Sequence, residues 1–225
     1  YRSNAQARVL EDALLRAQIP YRIYGGQRFY ERMEIRNALA YLRLTVSRQD
    51  DAAFERVINT PTRGIGEKTV QKIRDTARDE GSSLWQAAEK VVTDNLLPPR
   101  ASNAVSGFLS LVNRLETETA ELQLHEQVDH VLSHSGLIEF HGKEKGERGQ
   151  ARVENLEELV TACRGFEPEE NDRPALPQFL DQAALDAGDR QADEGQDAVQ
   201  LMTLHSAKGL EFPLVFLAGM EENLF

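Results

Sequence analysis

Thr203, His205, Ser206, Lys208 and Glu211 fall within nine residues, TLHSAKGLE, around Gly209. Two short apolar runs flank them, Val199-Gln200-Leu201-Met202 before and Leu214-Val215-Phe216-Leu217-Ala218 after, the second ending at Gly219. Both runs read as strands covered on both faces, as in a parallel α/β sheet. Such sheets bind ligands at the carboxyl ends of their strands. The plainer reading of these polar residues is a solvated connection.

A second stretch, Asn59–Thr69 (NTPTRGIGEKT), places Gly64-Ile65-Gly66 directly before a helix that begins at Glu67-Lys68-Thr69. Glycines let backbone N–H groups approach a phosphate, and a helix N-terminus adds unspent donors and a favourable dipole. Arg63 and Lys68 add positive charge, and Thr62 and Thr69 add hydroxyls. Contacts of this kind hold a duplex by its backbone without reading its sequence. The alternative is an ordinary tight turn between helices. Gly66-Glu67-Lys68-Thr69 also mimics the tail of a P-loop, but there lysine must follow glycine directly. Glu67 intervenes, residue 61 is proline where the first glycine should stand, and no buried strand precedes. The chain therefore has no phosphate-cradling loop of that type, and no strand ending in paired acids.

Other chemistry is sparse. His125, His130, His134 and His141 gather in one region, with His130 and His134 one helical turn apart, but without the HExxH pattern or nearby cysteines they do not predict a metal site. Cys163 is the single cysteine, so no intrachain disulfide is possible, which suits a reducing, cytoplasmic setting. It lies on the helical stripe Val153, Leu156, Leu159, Val160, Cys163 and reads as core. No apolar run approaches the about 18 residues of a membrane span.

The net charge is −11, unlike a generic nucleic-acid coat protein. Residues 1–76 nevertheless carry 14 basic and 9 acidic side chains, against 12 basic and 28 acidic in 77–225. Polyanion contact is expected in the first third or on local loops.

These residues need elements to hold them. A helix with Val9, Leu10, Ala13, Leu14 and Ala17 on one face, capped by Ser3 or Asn4 and stopped by Pro20, leads to a strand at Tyr21–Tyr24 and then Gly25-Gly26. From Glu31 to about Arg190 the periodicity is helical. It includes Met33 to Leu42, the stripe Val105, Phe108, Leu109, Val112, Leu115, and Phe179, Leu180, Ala183, Leu185. Segments 141–150 and 167–172 read as flexible, and 187–197 is a polar connection back to the opening stretch. The expected architecture is a partial α/β domain, residues 1–26 and 196–225, interrupted by a large all-α insertion, residues 27–195, and mainly α overall. Hinges are expected at Gly25-Gly26 and Gly188–Gly195. The chain opens at Tyr1 without Met and stops just after a strand, so both ends read as cuts inside a longer protein.

TLHSAKGLEF closely resembles motif V of superfamily 1 DNA helicases of the UvrD/PcrA/Rep group, and YRSNAQARVLE resembles an early segment of their second motor domain. The resemblance extends over nearly the whole chain. It implies a RecA-like (P-loop NTPase-type) motor domain, 2A, interrupted by a helical insertion, 2B, that carries a helix-hairpin-helix-like GIG loop. It further implies that Arg2, Asn4, Thr203 and His205 touch single-stranded DNA, that Lys208, Gly209 and Glu211 face the nucleotide, and that Thr62, Arg63, Gly64, Ile65, Gly66, Lys68 and Thr69 touch duplex DNA. The full-length parent would be an ATP-dependent 3′→5′ DNA helicase of repair or replication, using ATP and Mg²⁺ held by parts outside this chain, with repair proteins as partners. The chain alone is expected to be inactive. The competing readings are a stand-alone helix-hairpin-helix DNA-binding module and a helical protein-interaction domain.

Overall fold

The computed structural model describes residues 1–2, 4–24, 27–169, 172–188 and 197–220, together with the backbone of Asn4. Two short strands, β1 (Tyr21–Ile23) and β2 (Val199–Leu201), pair in parallel with Tyr21 opposite Val199 and Ile23 opposite Leu201. The first and last parts of the sequence thus close into one small layer around everything between them. Parallel strands cannot be joined by a hairpin, and here the crossover is a body of nine helices among the described residues: α2 (Met33–Val46), α3 (Asp51–Val57), α4 (Glu67–Glu80), α5 (Leu84–Thr93), α6 (Pro99–Thr119), α7 (Leu124–His134), α8 (Leu137–Gly142), α9 (Glu147–Arg164) and α10 (Ala175–Gly188). The small layer adds α1 (Ala7–Arg16) before β1 and the four-residue α11 (Leu204–Ala207) after β2.

Local chemistry sets these boundaries. Asp50 caps α3 by accepting the Ala53 N–H at 2.8 Å. Ser83 and Gln86 form a reciprocal capping box at the start of α5. Pro99 opens α6, where its missing N–H is no loss, and Gly81 ends α4 in the left-handed region at φ 61°. The stripes then meet in one core. Phe54, Trp85 and Phe108 pack as a ring triad with centroids 5.6 to 6.3 Å apart, joining α3, α5 and α6. Leu156, Leu159 and Cys163 of α9 are buried there as expected. A separate small cluster of Tyr1, Ala7, Tyr21, Ile23 and Leu201 holds the α/β layer.

A polar seam joins layer and body. Arg8 of α1 bonds Glu158 of α9 at 2.6 Å and Asp12 at 2.5 Å. Buried Glu11 lies 4.0 Å from both Arg28 and Arg32, an ion-pair distance rather than a hydrogen bond. Arg32 donates to Asn155 at 2.9 Å, and Asn155 donates to Glu34 at 2.6 Å.

Several expectations change. Leu214–Ala218 is not a strand: it carries no regular structure, and Leu214, Val215, Phe216 and Leu217 are 72, 59, 84 and 56% exposed. A strand needs a partner edge, and among the described residues the only sheet is β1–β2. The first helix begins at Ala7 behind a 3-10 turn, Asn4–Gln6, and its N-cap position is Gln6, which makes no side-chain cap. Ser3 lies outside the described residues. Val9, Met33 and Leu185, expected on buried stripes, are exposed. The 141–150 stretch is tied down rather than loose. His141 is fully buried and bonds Glu144 at 2.7 Å, which also pairs with Arg152. Gly149 lies so close to the Glu144 and His141 carbonyls that no side chain would fit. The hinge glycines Gly25 and Gly26, residues 189–196, and Glu170-Asn171 of the acidic segment lie outside the described residues.

Candidate nucleic-acid interface

The loop between α3 and α4 is built from its first residue. Asn59 Oδ1 accepts the backbone N–H of Arg63 at 2.8 Å and of Ile65 at 3.2 Å, folding the chain over itself. Ile65 is buried and pins the loop to the core, while Thr62, Gly64, Gly66 and Lys68 are exposed and Thr69 is half-buried. Gly64 sits at φ 79°, in the left-handed region. Gly66, the N-cap of α4, has an ordinary φ of −82°, and a Cβ there would meet nothing within 4 Å. Its conformation does not require glycine, so the missing side chain leaves open space against the helix end. The N–H groups of Gly66, Glu67 and Lys68 take no acceptor among the described residues. Thr69 and Val70 N–H are spent on the Gly66 carbonyl. Unspent donors, an open approach and the Lys68 ammonium make an anion-binding helix end. Lys72 extends the same exposed face one turn on.

Arg63, expected to face outward, does not. Its Nη1 donates to the carbonyls of Pro61 (2.9 Å) and Val57 (3.4 Å), and its Nη2 to Ser135 (2.9 Å). Two cations that the sequence did not single out stand on the helices beside the loop. Arg36 of α2 is exposed and has no acidic partner among the described residues, and Arg56 of α3 bonds only Asn37, at 3.3 Å. Burial first, then the charge of Arg36, pushes the Arg56 guanidinium below its ordinary value. Two cations left near one another without an acid suit an anion that is not part of the chain. Their only sequence signal is basic residues on α2 and α3, which gains meaning once the helices are packed.

The second stretch lies at the carboxyl end of β2, as expected of such a sheet. Thr203 caps α11, its hydroxyl accepting the Ser206 N–H at 3.2 Å and lying 3.0 Å from the Ser206 hydroxyl. Tyr1 clasps this turn from both sides: its amino group donates to the Met202 carbonyl at 3.1 Å, and its carbonyl accepts the Leu204 N–H at 3.0 Å. Arg2, exposed, donates its N–H to Gln6 at 2.9 Å. The structure thus sets Arg2 and the Thr203–His205 turn along one edge, although they are two hundred residues apart in sequence. The side chain of Asn4 lies outside the described residues. His205, Lys208 and Glu211 are exposed, and their side chains make no bond among the described residues. Gly209 turns the chain at φ 83°.

Three of the four clustered histidines, His130, His134 and His141, make contacts within the fold. His130 and His134 stack at 3.8 Å, and His130 bonds Glu118 at 2.8 Å. Among the described residues no group of His, Cys, Asp and Glu could hold a metal ion, and no helix is long and apolar enough to cross a membrane.

A parallel-paired α/β layer thus joins a helical body, and each carries one polar loop. The sequence model of the UvrD-like helicase C-terminal domain matches residues 1–225, and the chain belongs to that family. It is 59% identical over 227 residues to DNA helicase II of Escherichia coli (strain K12), covering 100% of the chain and 32% of that relative. It is 57% identical to DNA helicase II of Haemophilus influenzae over 227 residues, 100% of the chain and 31% of the relative. It is 40% identical over 231 residues to ATP-dependent DNA helicase PcrA of Bacillus subtilis, again 100% of the chain and 31% of the relative. The chain spans about a third of the length of these curated relatives.

Proposed function

We propose that this chain is the part of an ATP-dependent 3′→5′ DNA helicase that grips DNA and couples the grip to the nucleotide. Residues 1–26 and 196–225 form part of a RecA-like motor domain (2A), and residues 27–195 form its helical insertion (2B). Its loop at Thr62–Thr69, with Gly64, Ile65, Gly66, Lys68 and Thr69, takes the duplex by its phosphates, with Arg36 and Arg56 widening the positive surface. Arg2, Asn4, Thr203 and His205 take the single strand. The unpaired carboxylate of Glu211, beside Lys208 and Gly209, suits a ribose hydroxyl. Residues that cradle ATP phosphates and Mg²⁺ do not fit anywhere in this sequence, so hydrolysis belongs to other parts of the parent. A stand-alone DNA-binding module has no use for the β1–β2 pairing across the helical body.

The observation that carries this reading is the open, donor-rich end of α4 at Gly66, where glycine answers to no need of the fold itself. Gly66→Val is expected to leave the thermal midpoint of the chain nearly unchanged, since the added atoms point into solvent. It should weaken binding to a blunt DNA duplex, read by fluorescence anisotropy, more than binding to a single strand. Equal loss on both substrates would remove the duplex role from the loop.

A further inference from the structure

We propose that Arg63 is the positioning residue of the duplex-contacting loop and not one of its phosphate ligands. The inference rests on the duplex reading above and deepens it. The guanidinium is turned into the protein and bridges three segments. It donates to Val57 at the end of α3, to Pro61 within the loop, and to Ser135 in the turn between α7 and α8. Its carbon lies 5.6 Å from the centre of the Tyr41 ring and 5.7 Å from that of Phe108. It forms no ion pair with an acid among the described residues, so carbonyl dipoles and ring faces hold its charge. Tyr41 completes the strut: its buried hydroxyl donates to Thr60 at 2.7 Å and reaches the Val57 carbonyl at 3.3 Å. Pro61 in turn packs near the Gly136 turn, where an added Cβ would lie 3.7 Å from the ring.

This arrangement needs a fork. A planar guanidinium can address carbonyls in several directions at once, whereas a lysine ammonium is a point charge on a flexible stem. A lysine in its place keeps the charge that a single-point phosphate contact needs, but not the fork that a strut between several carbonyls needs. Counterion release separates the two roles further. Each phosphate neutralised contributes about −0.9 to the slope of log affinity against log salt on B-DNA. Removing a ligand lowers that slope, while misplacing a loop lowers affinity and leaves the slope of the remaining contacts.

The test measures anisotropy of a labelled blunt DNA duplex and of a labelled single strand, across a salt series, for the wild-type chain, Arg63→Lys, Arg63→Ala, Asn59→Ala and Lys68→Ala. Arg63→Lys and Arg63→Ala are both expected to lose about tenfold in duplex affinity, or about 1.4 kcal/mol. Their salt slope should stay unchanged and their single-strand affinity should be kept. Asn59→Ala frees the same backbone without touching a charge and should show the same pattern even if Arg63→Ala fails to fold. Lys68→Ala should reduce the slope by about 0.9. Near wild-type duplex binding by Arg63→Lys, or a slope reduced by about 0.9 in Arg63→Ala, would make Arg63 a phosphate ligand and overturn the proposal. Wild-type binding by Asn59→Ala would overturn it too. If Lys68→Ala and Gly66→Val also bind duplex as wild type does, the duplex reading itself falls, a result distinct from failure of the Arg63 variants alone.

Discussion

The functional side chains divide by whether the fold uses them. Thr203 also caps α11, and Ile65 is buried in the core. His205 is exposed and makes no side-chain bond among the described residues. Surface substitutions of that kind usually alter stability by no more than about 0.5 kcal/mol. His205→Ala is therefore expected to leave the urea midpoint of the chain in place while weakening its hold on a labelled single strand. An unchanged single-strand affinity would reduce His205 to a solvated side chain. The same division applies at position 63. An arginine beside two glycines in a basic loop has the composition of a phosphate ligand. Its guanidinium nevertheless bonds carbonyls of Val57 and Ser135, which lie in other segments and are invisible to local pattern.

Between elements, the seam of α1 with α2 and α9 is the feature that periodicity could not reveal. Glu11 sits on the face of α1 where an apolar stripe would be buried, yet it is 4% exposed. Burial pushes its carboxyl above the ordinary value of 4.5, and nearby Arg32 and Arg28 pull it back only in part. A carboxyl that holds its proton more tightly when folded makes folding take up protons above pH 4.5. Its contribution to stability then falls as pH rises through that window. The urea midpoint of the wild type should therefore fall relative to that of Glu11→Gln as the pH is raised from 4.5. Comparing the two chains cancels Asp12, whose carboxyl burial also raises. A wild type that gains on the variant instead would show that the two arginines outweigh burial. Helices such as α6 and α9 were legible because each buries one continuous stripe at helical spacing. The strand expected at Leu214–Ala218 was not, because a strand is a property of a pair of edges and the sequence shows one side only. Val9 and Leu185 failed for a related reason: periodicity finds a face without saying whether another element covers it.

Across the whole molecule, the two candidate loops share one frame. One loop lies at the carboxyl end of β2 and the other at the N-terminus of α4, and the β1–β2 pairing fixes both to the same layer and body. This much was legible from the sequence, because two α/β-like flanks too short to fold alone must meet. The chemistry that would power a motor is a different matter. Phosphoryl transfer is almost entirely positioning and charge stabilisation, by a phosphate-cradling loop with its lysine, a metal held by acids, and a residue that orients water. This sequence contains no GxxxxGK[ST] loop, and among the described residues no acidic or histidine group could hold a cation. Glu211, Lys208 and Gly209 could meet a nucleotide from one side without activating its phosphates. The purified 225-residue chain is accordingly expected to release no phosphate from ATP, with or without single-stranded DNA, in a coupled phosphate-release assay, while still binding duplex. Adding a separately produced upstream segment that carries a GxxxxGK[ST] loop should restore DNA-stimulated turnover if the missing wall of the cleft lies there. Turnover by the chain alone, abolished by Glu211→Gln, would instead place the catalytic acid in this stretch and make TLHSAKGLE an active site in its own right.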